Sequence, residues 1–332
     1  MRDGLTARQL CAALFAGLTV PLVLVGARLH WRWVLLAVLL AGLYYYIMYR
    51  TKCETPLARL MLSAFGKAGK LLLLSAAVFF VCLAGCLANR SSLSFPQTAD
   101  APLAGLALLA VSAWAAGKGI RAVVRCSAVL FVLLALLYGV VLLGSAPRVQ
   151  LRWLAPAGDI RQTALFFGVL LLPTVCLYFA PQENNTSPAL WLLACGALAL
   201  AASVVTAGCL SPRIAAEEMS FYQLAQSVSL FGMVERFEAL ISAAFLFGAF
   251  CLTGLLLCAA REALSVLLPH KRVPRLLPAA AAVPAALFSS AIPLWVWSLG
   301  AAIFCGIFPL LTQGIVALKK DKKISKKTGK KD

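Results

Sequence analysis

Acidic side chains and histidine are scarce in this chain of 332 residues, with twelve Asp and Glu together and two His. That scarcity removes most catalytic chemistry at the outset. Neither His30 nor His270 belongs to a Ser-His-Asp pattern, and no phosphate loop or metal-ligand spacing occurs, so no enzyme activity, no cofactor and no metal site is expected. The carboxylates are also badly placed for a proton relay. Glu54, Asp100, Asp159, Glu183, Glu217, Glu218, Glu235, Glu238 and Glu262 fall in loops or near the ends of apolar segments. An obligatory intramembrane relay needs a carboxylate near the midplane.

What the chain has in abundance is apolar residue, 62% of the total, with a mean hydropathy of +0.91 and only 13% charged residues. A soluble fold of this length cannot hide so much apolar surface, so lipid must serve as solvent. Windows of about 20 residues give about ten spans, at 5–26, 30–49, 69–88, 102–116, 121–144, 161–181, 188–209, 234–260, 276–291 and 293–318. The fourth and ninth are the short ones. They occupy equivalent places if spans one to five (5–144) and six to ten (161–318) are two copies of one unit, which predicts an all-α polytopic membrane domain over 1–318 with a five-plus-five inverted repeat.

The net charge of +18 is unevenly spread. With ten spans and a cytoplasmic amino terminus, one side collects Arg2, Arg8, Arg50, Lys52, Arg59, Lys67, Lys70, Lys118, Arg121, Arg125, Arg261, Lys271, Arg272, Arg275 and the lysine-rich end. The other side keeps Arg28, Arg32, Arg90, Arg148, Arg152, Arg161, Arg213 and Arg236. This positive-inside bias puts both termini in the cytoplasm. Residues 319–332 are mostly lysine without apolar periodicity and read as a disordered tail beside anionic headgroups, not as a nucleic-acid binder. The eleven cysteines lie mostly inside apolar spans and are expected to pack.

Two spans are interrupted at matching places. The first is expected to lose its winding around Gly17-Leu18-Thr19-Val20-Pro21, and the sixth around Gly168 and Leu172-Pro173-Thr174. Proline removes a helical donor and crowds the preceding turn, which lipid tolerates only where something else satisfies the freed backbone. Paired broken helices in two halves of a chain point to a midplane binding site. Unwinding there exposes amides and carbonyls to a small zwitterion, with Thr19 and Thr174 each adding a hydroxyl. A plain proline kink without a ligand stays open as the alternative. Ser75 on the third span and Ser242 and Thr253 on the eighth are weaker candidates, because isolated hydroxyls in membrane helices usually bond their own preceding turn.

Between the seventh and eighth spans, residues 217–230 read as a short amphipathic helix with Met219, Tyr222, Leu224 and Val228 available to face the protein. Such a helix lies over the outer mouth either as a lid or as a surface connector.

The run Phe221-Tyr222-Gln223-Leu224-Ala225-Gln226-Ser227-Val228, followed by Gly232-Met233-Val234-Glu235-Arg236-Phe237-Glu238-Ala239-Leu240, resembles the spore germination permeases, the GerAB-type B subunits of nutrient germinant receptors. Leu5-Thr6-Ala7-Arg8-Gln9-Leu10, Gly119-Ile120-Arg121-Ala122-Val123-Val124-Arg125 and Trp153-Leu154-Ala155-Pro156 resemble other stretches of that family. The family is similar to amino-acid–polyamine–organocation transporters, which implies unwound first and sixth helices. It also implies an amino acid or similar nutrient as ligand, an A subunit and a lipoprotein C subunit as partners, and a place in the spore inner membrane or the cell membrane. By position, the resemblance implies Gly17, Thr19, Pro21, Pro173 and Thr174 as the unwound-helix residues and the segment of Glu235, Arg236 and Glu238 as guard of the outer entrance. The residue pattern itself adds Gly168, Ser75 and Ser242 as ligand candidates and Glu218 and Tyr222, on the possible lid, as gate candidates. The first span departs from the family in lacking a glycine-rich break, which implies an altered pocket or ligand. The rival readings are an autonomous amino-acid transporter and an assembly protein with a vestigial cavity.

Overall fold

The computed structural model describes residues 7–50, 55–92, 101–154, 161–179, 188–210, 220–227, 237–268, 273–288 and 292–328. These are helical, with no strand among the described residues. In hydrocarbon every backbone donor and acceptor must be paired within the segment, and the helix is the form that allows it for Leu-, Ala- and Val-rich runs. The helices are α1 (Ala7–Gly26), α2 (Trp31–Arg50), α3 (Leu57–Phe65), α4 (Lys67–Ser92), α5 (Ala101–Lys118), α6 (Ile120–Ser145) and α7 (Arg161–Leu171). After α7 a 3₁₀ segment covers Leu172–Tyr178. Then follow α8 (Pro188–Cys209), α9 (Ser220–Gln226), α10 (Phe237–Leu267), α11 (Val273–Phe288) and α12 (Leu294–Ala301), a π turn at Ala302–Ile307, and α13 (Phe308–Thr328).

Among the described residues seven segments are long and apolar enough to cross a membrane: Arg8–Gly26, Trp31–Met48, Lys67–Ser91, Ile120–Arg148, Leu192–Cys209, Ala239–Leu267 and Trp295–Lys319. Two shorter apolar helices, Leu103–Lys118 and Thr163–Tyr178, accompany them. The protein is therefore an all-α, multi-pass membrane protein. Its outer surface agrees, since Leu39, Leu43, Leu71, Val129 and Leu143 are exposed large apolar side chains of a kind that a water-facing surface would not gather.

Packing sorts the helices into an inner and an outer set. The span in α10 has 72% of its window buried, against 28% for α2 and for α6. Helix α10 lies against α1, α4, α5 and α6, while α11 lies on α4 and α5. Small residues set these distances. A Cβ built on Gly17 would stand 3.2 Å from the Leu252 backbone, and one on Gly248 would stand 2.6 Å from Val20 Cγ2. Close backbone approach through glycine is how membrane helices gain packing without a hydrophobic drive.

That contact corrects the expectation for the first span. Helix α1 is continuous from Ala7 to Gly26 with Pro21 inside it, so the break predicted at Gly17–Pro21 is absent. Pro21 leaves the Gly17 carbonyl without its helical donor, but Gly17 presses this turn onto α10, and Thr19 Oγ1 donates to the neighbouring Ala16 carbonyl at 2.7 Å. In the sixth span the interruption is present: regular winding stops at Leu171, and Pro173 stands in the first turn of the 3₁₀ segment. Gly168, expected to take part in that interruption, lies inside regular α7.

Three further features differ from the expectation. The π turn at Ala302–Ile307 was not expected, although Pro309 just after it leaves the Cys305 carbonyl without its helical donor. Helix α3 precedes α4 through Gly66, whose φ of 57° suits glycine. The backbone of α13 continues as helix to Thr328, where disorder was expected from 319 onward. Lysine is a good helix former, and a helix already nucleated in the membrane extends at little cost.

Candidate functional site

A cavity of about 460 Å³ opens between α1, α4, α7 and α12. Each helix contributes one face at helical spacing. Pro21, Leu24 and Val25 come from α1, with Arg28 and Leu29 from the turn after it; Leu83, Cys86, Leu87 and Arg90 come from α4. Leu165, Val169 and Leu172 come from α7 and its junction with the 3₁₀ segment, and Trp295, Trp297, Ser298 and Ala301 from α12. The chain directions agree: α1 and α4 end at this face of the bundle, whereas α7 and α12 begin at it. The cavity thus runs from the interruption after Leu171 to a mouth held by two arginines, roughly 10 Å along α1 from Pro21 to Arg28.

Among the described residues that line it, the walls are mostly apolar and the charged groups are Arg28 and Arg90. Arg28 and Arg90 are half-buried, and Arg90 Nη2 donates to the Ile292 carbonyl at 3.4 Å. Burial pulls the Arg28 guanidinium below its ordinary value, and the charge of Arg90 pulls it the same way. Trp297 is buried, and its indole Nε1 has no hydrogen-bond partner. Ser298 Oγ donates to the Leu165 carbonyl at 2.5 Å and fixes α12 to the first turns of α7.

The 3₁₀ segment and the π turn face one another beneath the cavity. Both forms depart from the regular hydrogen-bond ladder, and hydroxyls take up carbonyls there. Thr174 Oγ1 lies 2.8 Å from the Leu171 carbonyl and 2.5 Å from that of Cys305. Tyr178 donates to the Phe304 carbonyl at 2.8 Å, and Tyr44 reaches the Cys305 and Gly306 carbonyls at 3.1 and 3.0 Å. Tyr45 donates to the Leu170 carbonyl at 3.0 Å. Phe79 stacks on Phe304, and Phe80 meets Tyr178 edge-on, with centroids 4.8 and 4.9 Å apart.

The predicted ligand residues separate into distinct environments. Pro21 lines the cavity. Gly168 touches it indirectly, since a Cβ there would overlap the Ser298 hydroxyl and carbonyl oxygens. Gly17 and Thr19 face α10 instead, and Thr174 is buried and engaged with protein carbonyls. Pro173 is buried beside it. Ser75 bonds the Leu72 carbonyl of its own helix at 2.9 Å, and Ser242 is buried in α10; neither is part of this cavity.

Of the predicted gate, Glu218, Glu235 and Arg236 lie outside the described residues, and Glu238 lies in the first turn of α10. In α9 Leu224 is buried as expected, but Tyr222 is half-buried, and Phe221 takes the inward place against Tyr138, 5.6 Å between ring centroids. Positions 221, 224 and 225 share one face of a two-turn helix, which decides it. The residues that sequence reasoning missed are Arg28, Arg90 and Trp297. A signal existed for Arg28, which follows Pro21 by seven residues, two turns along the same face.

The profile of the family described as "Spore germination protein" matches residues 15–292. No curated protein sequence matches the chain. Among solved structures, Mhp1, a nucleobase-cation-symport-1 family transporter in a closed conformation with bromovinylhydantoin bound, superposes with a TM-score of 0.64. The identity is 14%, and the match covers 91% of this chain and 77% of the Mhp1 chain. At that identity the likeness bears on the fold.

Proposed function

The chain belongs to the spore germination protein family, and from that premise we propose that this multi-pass, permease-type membrane protein is the nutrient-sensing membrane subunit of a germinant receptor. In this reading a small nutrient, an amino acid or a relative of one, enters the cavity between α1, α4, α7 and α12, and its binding triggers germination. The observation that carries it is the position of that cavity, directly above the place where α7 gives way to the 3₁₀ segment. A ligand seated there touches the one interrupted span of the pair expected to be broken. It therefore has a means of favouring one arrangement of that span over another. Binding signals only if the active form holds the ligand better than the resting form. A tenfold bias needs about 1.4 kcal/mol of differential affinity.

The assembly in this reading includes an A subunit and a lipoprotein C subunit, with both termini cytoplasmic and the complex in the spore inner membrane or the cell membrane. The protein acts by binding, not by catalysis. A second reading, an autonomous amino-acid transporter of the same superfamily, is favoured by the likeness of the fold to Mhp1, whose printed description is that of a transporter.

One pair of measurements separates them. Purified chain in liposomes is tested for substrate accumulation, and spores lacking the chain are tested for germination on nutrients. Loss of the germination response without accumulation in liposomes supports the receptor subunit. Accumulation without partner subunits, with germination intact, overturns it in favour of transport.

A further inference from the structure

We propose that the cavity between α1, α4, α7 and α12 holds one acyl tail of a bilayer lipid, whose ester carbonyl accepts the Trp297 indole N–H. The inference goes beyond the preceding reading by naming an occupant drawn from the membrane; it rests on that reading only for the consequence that nutrient and tail share one cavity.

The walls of an apolar void forfeit the contacts that a filling group would give them. Water is a poor filler, since a buried water needs about two to four polar partners. Below the mouth the described walls offer few: Leu24, Leu83, Leu87 and Val169 present hydrocarbon, and the Ser298 hydroxyl is spent on the Leu165 carbonyl. A lipid tail needs no polar partner. A cavity of about 460 Å³ is large enough to take a length of one.

The packing gives the tail a way in. Helix α4 lies against α3, α5, α10 and α11, whereas α12 lies against α7 and the π turn. Phe79 reaches from α4 to Trp297 and Gly300 and closes the inner side between the two helices. Outward from Phe79 the cavity is bounded by Leu83 and Leu87 of α4 and by Trp295 of α12. Trp295 is 57% exposed, so the cavity meets the outside of the bundle there. For a multi-pass membrane protein that outside is lipid, and tryptophan gathers at the level of its interface. The long axis also suits a tail. It runs from Arg28, just past the end of α1, to Pro21 and Leu172 inside the bundle, the direction in which a tail descends from the interface.

Trp297 fixes the chemistry at the head of the tail. It lines the cavity, is only 8% exposed, and its Nε1 has no hydrogen-bond partner. A buried donor left unpaired is costly, above all where no water can reach it. Trp297 stands in the first turn of α12, near the end of the span, and a tail entering from the interface brings its ester carbonyl to that end. Hydrocarbon moved from lipid to a leucine-lined wall gains little by transfer alone. The filled void and the indole bond therefore decide occupancy.

The test uses the full chain in phosphatidylcholine nanodiscs doped with a phosphatidylcholine that carries a diazirine in its tail, in an ester-linked and an ether-linked form. After irradiation, adducts are mapped by peptide mass spectrometry. Exposed Leu39 and Leu71 serve as the reference that any surrounding lipid reaches. Adducts are expected on Leu83, Val169 and Leu172 as well, with the ester form about three- to tenfold ahead of the ether form at these three and equal to it at the reference. Trp297→Phe is expected to remove the ester preference. Val169→Phe fills the cavity and is expected to remove most of the adducts at Leu83 and Leu172 while leaving Leu39 and Leu71 unchanged; Leu83→Trp, read at Val169 and Leu172, replaces it if that variant does not fold.

Adducts confined to the exposed reference overturn the proposal, and so does equal labelling of the cavity by the ester and ether forms. Spores carrying Val169→Phe separate this inference from the receptor reading. Lost cavity adducts with undisturbed germination leave the tail site standing and sink the cavity as the place where a nutrient acts. Adducts on the reference alone, in a chain that germination requires, sink the tail site and leave the receptor reading standing.

Discussion

Gly168 is the position where the sequence and the structure disagree most usefully, and replacing it with alanine tests the wall of the cavity directly. The sequence reads Gly168 as part of the interruption of the sixth span. In the structure it is an ordinary residue of α7 against which α12 is pressed. A Cβ there would overlap the hydroxyl and carbonyl oxygens of Ser298 and stand 3.0 Å from its carbonyl carbon. Since carbon–carbon contacts settle at about 3.5–4.0 Å, the α12 backbone must retreat by roughly 0.5–1 Å. Overpacking of this kind costs about 1–3 kcal/mol, opposed by up to about 1 kcal/mol of helix propensity gained on replacing glycine. Gly139 on α6 supplies the control, because nothing stands within 4 Å of its added Cβ and only the propensity gain remains. The expected order of melting temperature in detergent is Gly139→Ala, then the parent, then Gly168→Ala, with several degrees between the extremes. Adding Ser298→Ala removes the hydroxyl but not the carbonyl, so the double variant recovers only part of the loss. If Gly168→Ala melts with or above Gly139→Ala, α7 and α12 do not meet at this spacing and the cavity wall is wrongly drawn.

Two further outcomes follow from the same geometry. Thr174→Val and Tyr178→Phe each remove a hydroxyl that pairs the 3₁₀ segment with the π turn, and each is expected to cost about 1–2 kcal/mol, read as a lowered melting temperature. A loss of ligand affinity at unchanged melting temperature would instead make these hydroxyls ligand donors. Ser75→Ala is expected to change stability by less than about 0.5 kcal/mol and binding not at all, because its hydroxyl serves its own helix at Leu72; a binding defect would refute that placement.

How much of this was legible in the sequence depends on what a residue's neighbours do to it. The membrane class follows from composition alone, because no arrangement of so apolar a chain exposes it to water. The stop of α7 at Leu171 follows from Pro173, which removes a helical donor and stands in the first turn of the 3₁₀ segment. Pro21 carries the same local signal and gives the opposite outcome. Gly17 and Gly248 bring α1 and α10 into backbone contact around that turn, and this is a fact about two helices more than 200 residues apart. The π turn was legible only in part, through Pro309, which leaves the Cys305 carbonyl without a helical donor. Its carbonyls are stabilised by Tyr44, Thr174 and Tyr178, whose hydroxyls arrive from α2 and the 3₁₀ segment. The arginine pair is likewise a product of assembly, for Arg28 and Arg90 close separate helices and become one site only when α1 and α4 end at the same face.

The asymmetry between α1 and the α7 segment bears on how a signal would leave the cavity. An uninterrupted α1 clamped to α10 is a poor moving part, since any shift must carry the glycine contacts with it. The 3₁₀ segment is held to the π turn by two side-chain hydrogen bonds, Thr174 to Cys305 and Tyr178 to Phe304, and parting the two elements breaks both together. At about 1 kcal/mol each, net, losing both bonds disfavours the rearranged form by about 2 kcal/mol, or a population ratio of roughly 30. A ligand seated against Leu172 need bind the rearranged form only about 30-fold better to balance the two states. Thr174→Val should therefore shift the resting balance toward the rearranged form by several-fold, raising basal signalling without ligand. That outcome separates a hinge at the 3₁₀–π contact from a rigid pocket, in which the same variant lowers stability and leaves the basal signal unchanged.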